Sequence, residues 1–301
     1  MSTALAAALS DALGQPVAAL TPVAGGDLND AYAATLADGA HVFVKTSADP
    51  AAAGSFAAEA DGLSWLAEAG ALPLPDVLAL ADDPPAPSAP VPPAPAGPRF
   101  LVLRWIDAGP STPAADEALG RGLAALHRAG APSFGGPADT LRIGPLTLPN
   151  EPASDWPAFY ATRRLEPLAR LAHDRGALPP DAPQLLDRLA ARLPQLAGPP
   201  EPPARVHGDL WSGNVIADTA ERPWLIDPAA HGGHRELDLA MLCLFGGPSE
   251  RAFQAYEEVA PLAPGASERV ALWQLAPLLL HAALFGPGWG ARATSVLRRY
   301  A

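Results

Sequence analysis

Apolar and polar positions alternate with different periods in the two halves of the chain. Residues Ala4 to Leu13 carry the spacing of a short amphipathic helix. Two strand-like runs follow, Ala31 to Leu36 and His41 to Lys45, joined at Asp38-Gly39, a hairpin signal. From Ser55 to Ala69 the period becomes helical, with Phe56, Ala60, Leu63 and Leu66 on one face and Gly70 at the C-terminal end. Pro73 and Pro75 introduce a run at Val77 to Leu80, and Phe100 to Leu103 have the unbroken apolar character of a buried strand. Beyond Thr112 the texture is helical. Asp116 to Ala129 forms one helix. Asp155 to His173 forms another, bent or divided at Pro167, and Asp181 to Leu196 a third, with Asp181 as its N-cap. Short strands are expected near Val215-Ile216 and Trp224 to Ile226, and helices again from Leu237 onward. The pattern predicts an α+β chain with a small sheet-bearing part, residues 1–106, and a larger, mostly helical part, residues 107–301. Residues 84–98, almost entirely Pro and Ala, are expected to be an extended surface loop.

Composition narrows the function. In 301 residues there are 49% hydrophobic and 17% charged side chains, enough to bury a core. A net charge of −12 argues against nucleic acid as a partner, because phosphate backbones require a basic surface. The N-terminus lacks a basic region ahead of its apolar residues, and the longest apolar stretch, near Leu272 to Phe285, is interrupted by Gln274, Pro277 and His281. A cytoplasmic protein without membrane attachment is expected. The single Cys, Cys243, excludes an intramolecular disulfide, and its apolar helical setting predicts a buried core residue. Of 20 basic residues only Lys45 is Lys, which hints at a position requiring a compact ammonium on a thin stem.

The most specific segment is His207-Gly208-Asp209-Leu210-Trp211-Ser212-Gly213-Asn214. It fits H-x-D-x4-N, the catalytic-loop pattern of kinase-like phosphotransferases. In that chemistry an Asp orients the acceptor hydroxyl and accepts its proton. An Asn five residues on turns back to a phosphate-bound metal. Two strands later, Asp227 ends an apolar run at the place of a second metal-binding Asp. Asp209 is therefore the candidate base, and Asn214 and Asp227 are candidate magnesium ligands, oxygen donors suited to a small hard cation. Lys45 closes the strand Val42-Phe43-Val44-Lys45, which suits a phosphate-gripping ammonium. Its expected partner is Glu59, which the helical period places on the apolar face of the next helix, where a carboxylate requires a cation. Gly25 and Gly26 could lay backbone N–H groups over the phosphates, a weak signal shared with any turn.

The chain resembles the fructosamine (ketosamine) kinases, a branch of the protein-kinase-like fold near the aminoglycoside and choline phosphotransferases. The resemblance runs in order through GGDLNDAY, HVFVKT, FAAEADGLSWL, LVLRWI, LGRGLAALHR, IGPLTLPN, DWPAFYATRRLEPL, HGDLWSGNV and DPAAHGGHRELDLAMLCLFGG. Trp211 within HGDLWSGN is the discriminating residue. The resemblance implies a bilobal fold and ATP-dependent phosphorylation of the sugar of a ketoamine, typically at its third carbon, which leads to loss of the sugar from a glycated amine. It implies ATP and Mg2+ as cofactors, with adenine held by backbone groups of Arg104, Trp105 and Ile106. Trp211, His231 and His234 become candidate acceptor-site residues. His231 and Gly232 stand where many relatives carry two aromatic residues, a change that bears on the sugar site. Asp238 and Arg235 are expected to form structural ion pairs beneath it. Three other readings remain open: a kinase of the same fold with an aminoglycoside, choline or homoserine-like acceptor; a nucleotide-binding scaffold without turnover; and a zinc hydrolase built on His231 to Asp238.

Overall fold

The computed structural model describes residues 2–23, 29–82 and 97–301. A helix, α1 (Ser2–Leu13), precedes a five-stranded antiparallel sheet of β1 (Val17–Pro22), β2 (Asp30–Leu36), β3 (His41–Ser47), β4 (Val77–Ala81) and β5 (Arg99–Arg104), in the order β1-β2-β3-β5-β4. Helix α2 (Ser55–Ala67) joins β3 to β4. Alternation along β3 and β5 divides the core between the two faces. Val42, Val44, Phe100 and Val102 pack under α1 with Leu5 and Leu9, whereas Leu101 and Leu103 pack under α2 with Phe56 and Leu63. Lys45 lies opposite Leu101 in the β3–β5 register, so its side chain emerges on the α2 face. The edge strand β1 escapes the apolar pattern because four of its six residues are exposed. The strand runs expected at 31–36, 41–45, 77–80 and 100–103 all form. Most of the Pro-rich 84–98 segment, and the Gly25-Gly26 turn, lie outside the described residues.

The remainder is mostly helical: α3 (Pro113–Arg128), a hairpin β6 (Thr140–Ile143) and β7 (Leu146–Pro149), α4 (Trp156–Phe159), α5 (Glu166–Asp174) and α6 (Ala182–Leu196). Short strands β8 (Ala204–Val206), β9 (Val215–Ala217), β10 (Pro223–Leu225) and β11 (His231–Gly233) frame the His207–Asn214 loop, and α7 (Glu236–Leu242), α8 (Glu250–Val259), α9 (Ala266–Trp273), α10 (Leu275–Phe285) and α11 (Pro287–Tyr300) complete the chain. The helix expected over 155–173 is interrupted by a π turn at Tyr160–Leu165, just ahead of Pro167, which lacks the N–H that would bond the Arg163 carbonyl; Arg164 Nη1 takes that carbonyl at 3.0 Å. Asp181 occupies the N-cap position of α6 without a side-chain capping bond, because its backbone is already helical (φ −84°, ψ −3°). Cys243 is exposed, contrary to the expectation of a core position: α7 stops at Leu242, and Cys243 begins the turn that leads to Gly246-Gly247. Among the described residues, no helix is long and apolar enough to cross a membrane.

Candidate active site

Lys45, Glu59 and Asp227, far apart in sequence, meet where the sheet faces the helical part. Lys45 Nζ donates to both oxygens of Glu59, at 2.8 and 2.9 Å, and to Asp227 Oδ1. Helix α2 is fixed in place by Asp82, a residue that carried no sequence signal. Its carboxylate accepts the N–H groups of Gly54, Phe56 and Ala57 at 3.0, 2.8 and 3.0 Å, satisfying the donors of the first turn. Burial alone would pull the Lys45 ammonium down, but the charges of Glu59 and Asp227 outweigh it and hold its pKa above the usual value. Burial pushes Glu59 up to about 7 against the pull of Lys45, with Asp227 adding to the rise. Two carboxylates on one ammonium leave an excess negative charge, and the more deeply buried carboxylate bears the consequence. Asp227 itself is part-exposed and holds left-handed backbone (φ 56°), a conformation that costs a non-glycine residue roughly 1–2 kcal/mol and is found where function demands it.

The loop from His207 to Asn214 is held from below. Asp238, 1% exposed, accepts the N–H of His207 at 2.7 Å, that of Gly208 at 2.9 Å, and His127 Nε2 at 3.2 Å. Gly208 turns at φ +82°, and a Cβ there would lie 2.1 Å from the Ala229 carbonyl oxygen, so only glycine allows the loop to approach the chain leading into β11. His207, kept neutral because burial lowers its pKa, bonds the Ile226 carbonyl through Nε2 at 2.8 Å and receives the Asp209 N–H on Nδ1 at 3.3 Å. It thereby ties the loop to the strand that ends in Asp227. Asn214 Nδ2 reaches back to the Asp209 carbonyl at 2.8 Å and to Asp209 Oδ2 at 3.3 Å, which leaves the amide oxygen of Asn214 for a cation. Burial, with the Asp227 charge second, raises Asp209 to about 6. The donor set of Asn214 and Asp227, oxygen atoms of an amide and a carboxylate, fits a magnesium ion.

The other expected site residues divide. Trp211 is half-exposed beside the loop, edge-on to Phe245 at 5.7 Å. Arg104 spends its backbone N–H on the Asp76 carbonyl (2.9 Å) and its side chain on the Asp76 carboxylate, so the link between the two parts falls to Trp105 and Ile106. His231 is buried and lines a small cavity beside Asp209. His234 does not face that cavity: it stacks on Trp273 at 5.4 Å, within a cluster of aromatic rings. The run His231 to Asp238 disperses. Glu236 pairs with Arg269 and Trp273, and Arg235 pairs with Glu201 at 2.6 and 2.8 Å, while Asp238 serves the catalytic-type loop and His127, not Arg235. Among the described residues, no group of three or more His, Cys, Asp or Glu side chains is placed to hold a metal ion, so the zinc reading has no support there. At Gly232 the 133–135 segment pairs closely with the chain: a Cβ there would meet the Ser133 carbonyl oxygen at 1.9 Å, so the position requires glycine. A larger hollow, about 350 Å³ between the start of α3, β9 and Gly247, includes neither Lys45 nor Asp209.

An antiparallel sheet over a helical body, with a Lys on the sheet paired to a Glu of the adjoining helix and an Asp–Asn loop facing them, defines a phosphotransferase of the protein-kinase-like fold. The family model for fructosamine kinase matches residues 1–301, and the chain belongs to that family, whose members are ATP-dependent phosphotransferases acting on a sugar hydroxyl. A protein of Synechocystis sp. assigned as a ketoamine kinase is 33% identical over 98% of this chain and 95% of its own length. The chloroplastic protein-ribulosamine 3-kinase of Arabidopsis thaliana is 35% identical over 68% of this chain and 63% of its own. A crystal structure from Thermobifida fusca assigned as a fructosamine-3-kinase superposes with a TM-score of 0.86 at 45% identity, covering 98% of this chain and 97% of that one. Aminoglycoside phosphotransferase APH(4)-Ia shares the fold alone, with a TM-score of 0.62 at 18% identity and full coverage of both chains.

Proposed function

We propose that this chain transfers the γ-phosphoryl group of ATP to the 3-hydroxyl of the sugar in a ketoamine, free or protein-linked, and so acts in deglycation. The observation that carries the proposal is the meeting of Lys45, Glu59 and Asp227 across the two parts of the molecule, next to the hydrogen-bonded Asp209–Asn214 loop. Residues 1–106 and 107–301 are then its two lobes, with adenine between them against Trp105 and Ile106. Asp209 orients the acceptor hydroxyl and takes its proton. Lys45, fixed by Glu59, places one positive charge on the phosphates. Asn214 and Asp227 would hold a magnesium ion, which supplies the remaining charge neutralisation when bound. Positioning and electrostatics are sufficient for this chemistry, because phosphoryl transfer needs little covalent participation from the protein. Gly25 and Gly26 belong to the proposal as phosphate-loop residues, and Trp211 as a platform for the sugar or its carrier. The net charge of −12 supports a partner other than nucleic acid, and a cytoplasmic location suits an ATP-dependent enzyme.

The test is ADP release from purified protein with a fructosyl amine, with the phosphorylated carbon assigned by NMR. Wild type releases ADP in proportion to phosphosugar. Asp209→Ala abolishes transfer while retaining nucleotide binding. Full activity in that variant, or a wild type inert toward every fructosyl amine, overturns the reading.

A further inference from the structure

Beside Asp209 lies a partly open cavity of about 30 Å³, room for one water-sized group. Asp209, His231, Arg164 and Tyr160 line it together with apolar side chains such as Leu168 and Met241. Arg164 comes from the π turn Tyr160–Leu165, a helical irregularity that often marks a functional position. Its guanidinium is buried, 4% exposed, and lies over the Phe159 ring at 4.5 Å. Nη1 donates to the carbonyls of Pro149 (2.7 Å) and Arg163 (3.0 Å), and Nη2 to Asn150 Oδ1 (2.6 Å). The adjacent Arg163 has a carboxylate partner, Glu151, whereas among the described residues no carboxylate lies within 4.0 Å of Arg164. Nε is buried with no partner.

His231 supplies the complement. Its Nδ1 lies 2.9 Å from the Ala229 carbonyl and therefore carries the ring proton, which leaves Nε2 as a bare acceptor. Nε2 is also buried without a partner. Burial first, and the Arg164 charge second, push this imidazole down to about 3, so it stays neutral. One cavity is thus lined by a residue with an unused donor and one with an unused acceptor, next to the candidate base. Leaving such buried groups unpaired is costly, and a water or a ligand group is what completes them. A carboxylate or phosphate would satisfy Arg164 but would face the His231 lone pair and the Asp209 carboxylate. A hydroxyl donates and accepts at once and carries no charge.

We propose that Arg164 and His231 are specificity-determining residues that bind a sugar hydroxyl adjacent to the one Asp209 activates, Arg164 Nε donating to its oxygen and His231 Nε2 accepting its proton. This rests on the phosphotransferase reading above and narrows the acceptor to a polyol with neighbouring hydroxyls. Arg164 also anchors the Pro149-Asn150 turn, so loss of activity in an Arg164 variant alone would not separate recognition from structure.

The experiment therefore reads discrimination. Wild type, His231→Phe, His231→Gln and Arg164→Lys are assayed with ATP and a fructosyl amine, and with analogues lacking the hydroxyl at carbon 2 or at carbon 4, one at a time. Wild type is expected to lose at least ~100-fold in kcat/KM on one analogue, since a site built around a hydroxyl leaves its own groups unpaired when that hydroxyl is missing. His231→Phe keeps a ring of similar size but lowers the penalty to a few-fold. His231→Gln, whose amide oxygen replaces the Nε2 acceptor, restores most of it, and KM for ATP stays within about twofold throughout. Arg164→Lys lowers the same penalty if it folds, and the His231 variants stand without it. A wild type active on the parent compound but indifferent to both deletions overturns this proposal while leaving the kinase reading intact. So does a His231→Phe variant that keeps the full discrimination. Absence of any ketoamine phosphorylation by wild type overturns the underlying reading instead.

Discussion

Replacing Asp238 by Asn removes one acceptor atom from the point on which the catalytic loop hangs. The two carboxylate oxygens hold three donors: His207 N–H and His127 Nε2 on one, Gly208 N–H on the other. An amide has the same shape but only one oxygen, so its amino group must face at least one of those donors. A hydrogen bond to an ionised acceptor contributes about 1.5–3 kcal/mol net, and a buried donor left unpaired costs about 1–3 kcal/mol. Partial relaxation brings the expected loss to roughly 2–4 kcal/mol, or a Tm fall of roughly 4–12 °C at about 2–3 °C per kcal/mol for a chain of this size. Because the loop positions Asp209, kcat should fall on the order of 100-fold while nucleotide affinity stays near wild type. The pH dependence supplies a second arm. Burial alone would raise the Asp238 pKa, but the hydrogen bond from His127, the electrostatic pull of the neighbouring imidazoles and the Gly208 N–H outweigh it and leave it below the ordinary 3.8. A carboxylate with a depressed pKa contributes stability that is present above its unfolded value and lost as pH falls through its folded one. The gap between wild type and variant should therefore narrow below about pH 4. Urea unfolding at pH 7 and at lower pH measures the stability loss and its pH dependence, thermal unfolding the Tm, and steady-state kinetics at pH 7 the change in kcat and in KM for ATP. A variant within about 0.5 kcal/mol of wild type and with unchanged kcat would show that the carboxylate does not hold the loop.

Three other outcomes can be checked directly. Glu59→Gln leaves Lys45 with one charged partner, so KM for ATP should rise about tenfold and kcat should fall; unaltered ATP kinetics would remove Glu59 from the nucleotide site. Because burial raises Asp209 to about 6 and the base must be ionised to accept a proton, kcat/KM for the acceptor should decline with a single-proton limb as pH drops through about 6. A profile flat from pH 5 to 7 would deny Asp209 that role. Glu236→Leu strands the buried Arg269 guanidinium, which Glu236 now meets at 2.9 and 2.5 Å, and should cost about 3–5 kcal/mol in urea unfolding, whereas a near-neutral result would mean the ion pair is dispensable.

The candidate site was legible in the sequence where spacing and chemistry coincide. His207 to Asn214 is a contiguous loop, so its Asp and Asn could be assigned roles from their separation alone. Lys45 stood out as the single Lys, and Glu59 as a carboxylate on an apolar helical face. Groups whose importance comes from what they touch were not legible. Asp82, Asn150 and Arg164 have no local pattern that marks them, and each acts through partners distant in sequence. Arg164 follows Thr162 and Arg163, so nothing local sets it apart from its neighbour, and the π turn that aims it depends on packing.

What the sequence determined by itself was the alternation that builds the sheet, the helical periods that surround it, and the order of residues in the catalytic loop, because these depend on neighbours a few residues away. Only the tertiary structure decided that Lys45 meets Asp227 across 182 positions of chain. Only it decided that His231 belongs to the cavity while His234, three residues on, is walled behind Trp273. Both outcomes come from the way β11 and α7 are packed against the loop, and burial and long-range charge, which fix the ionisation of these groups, are properties of that packing alone.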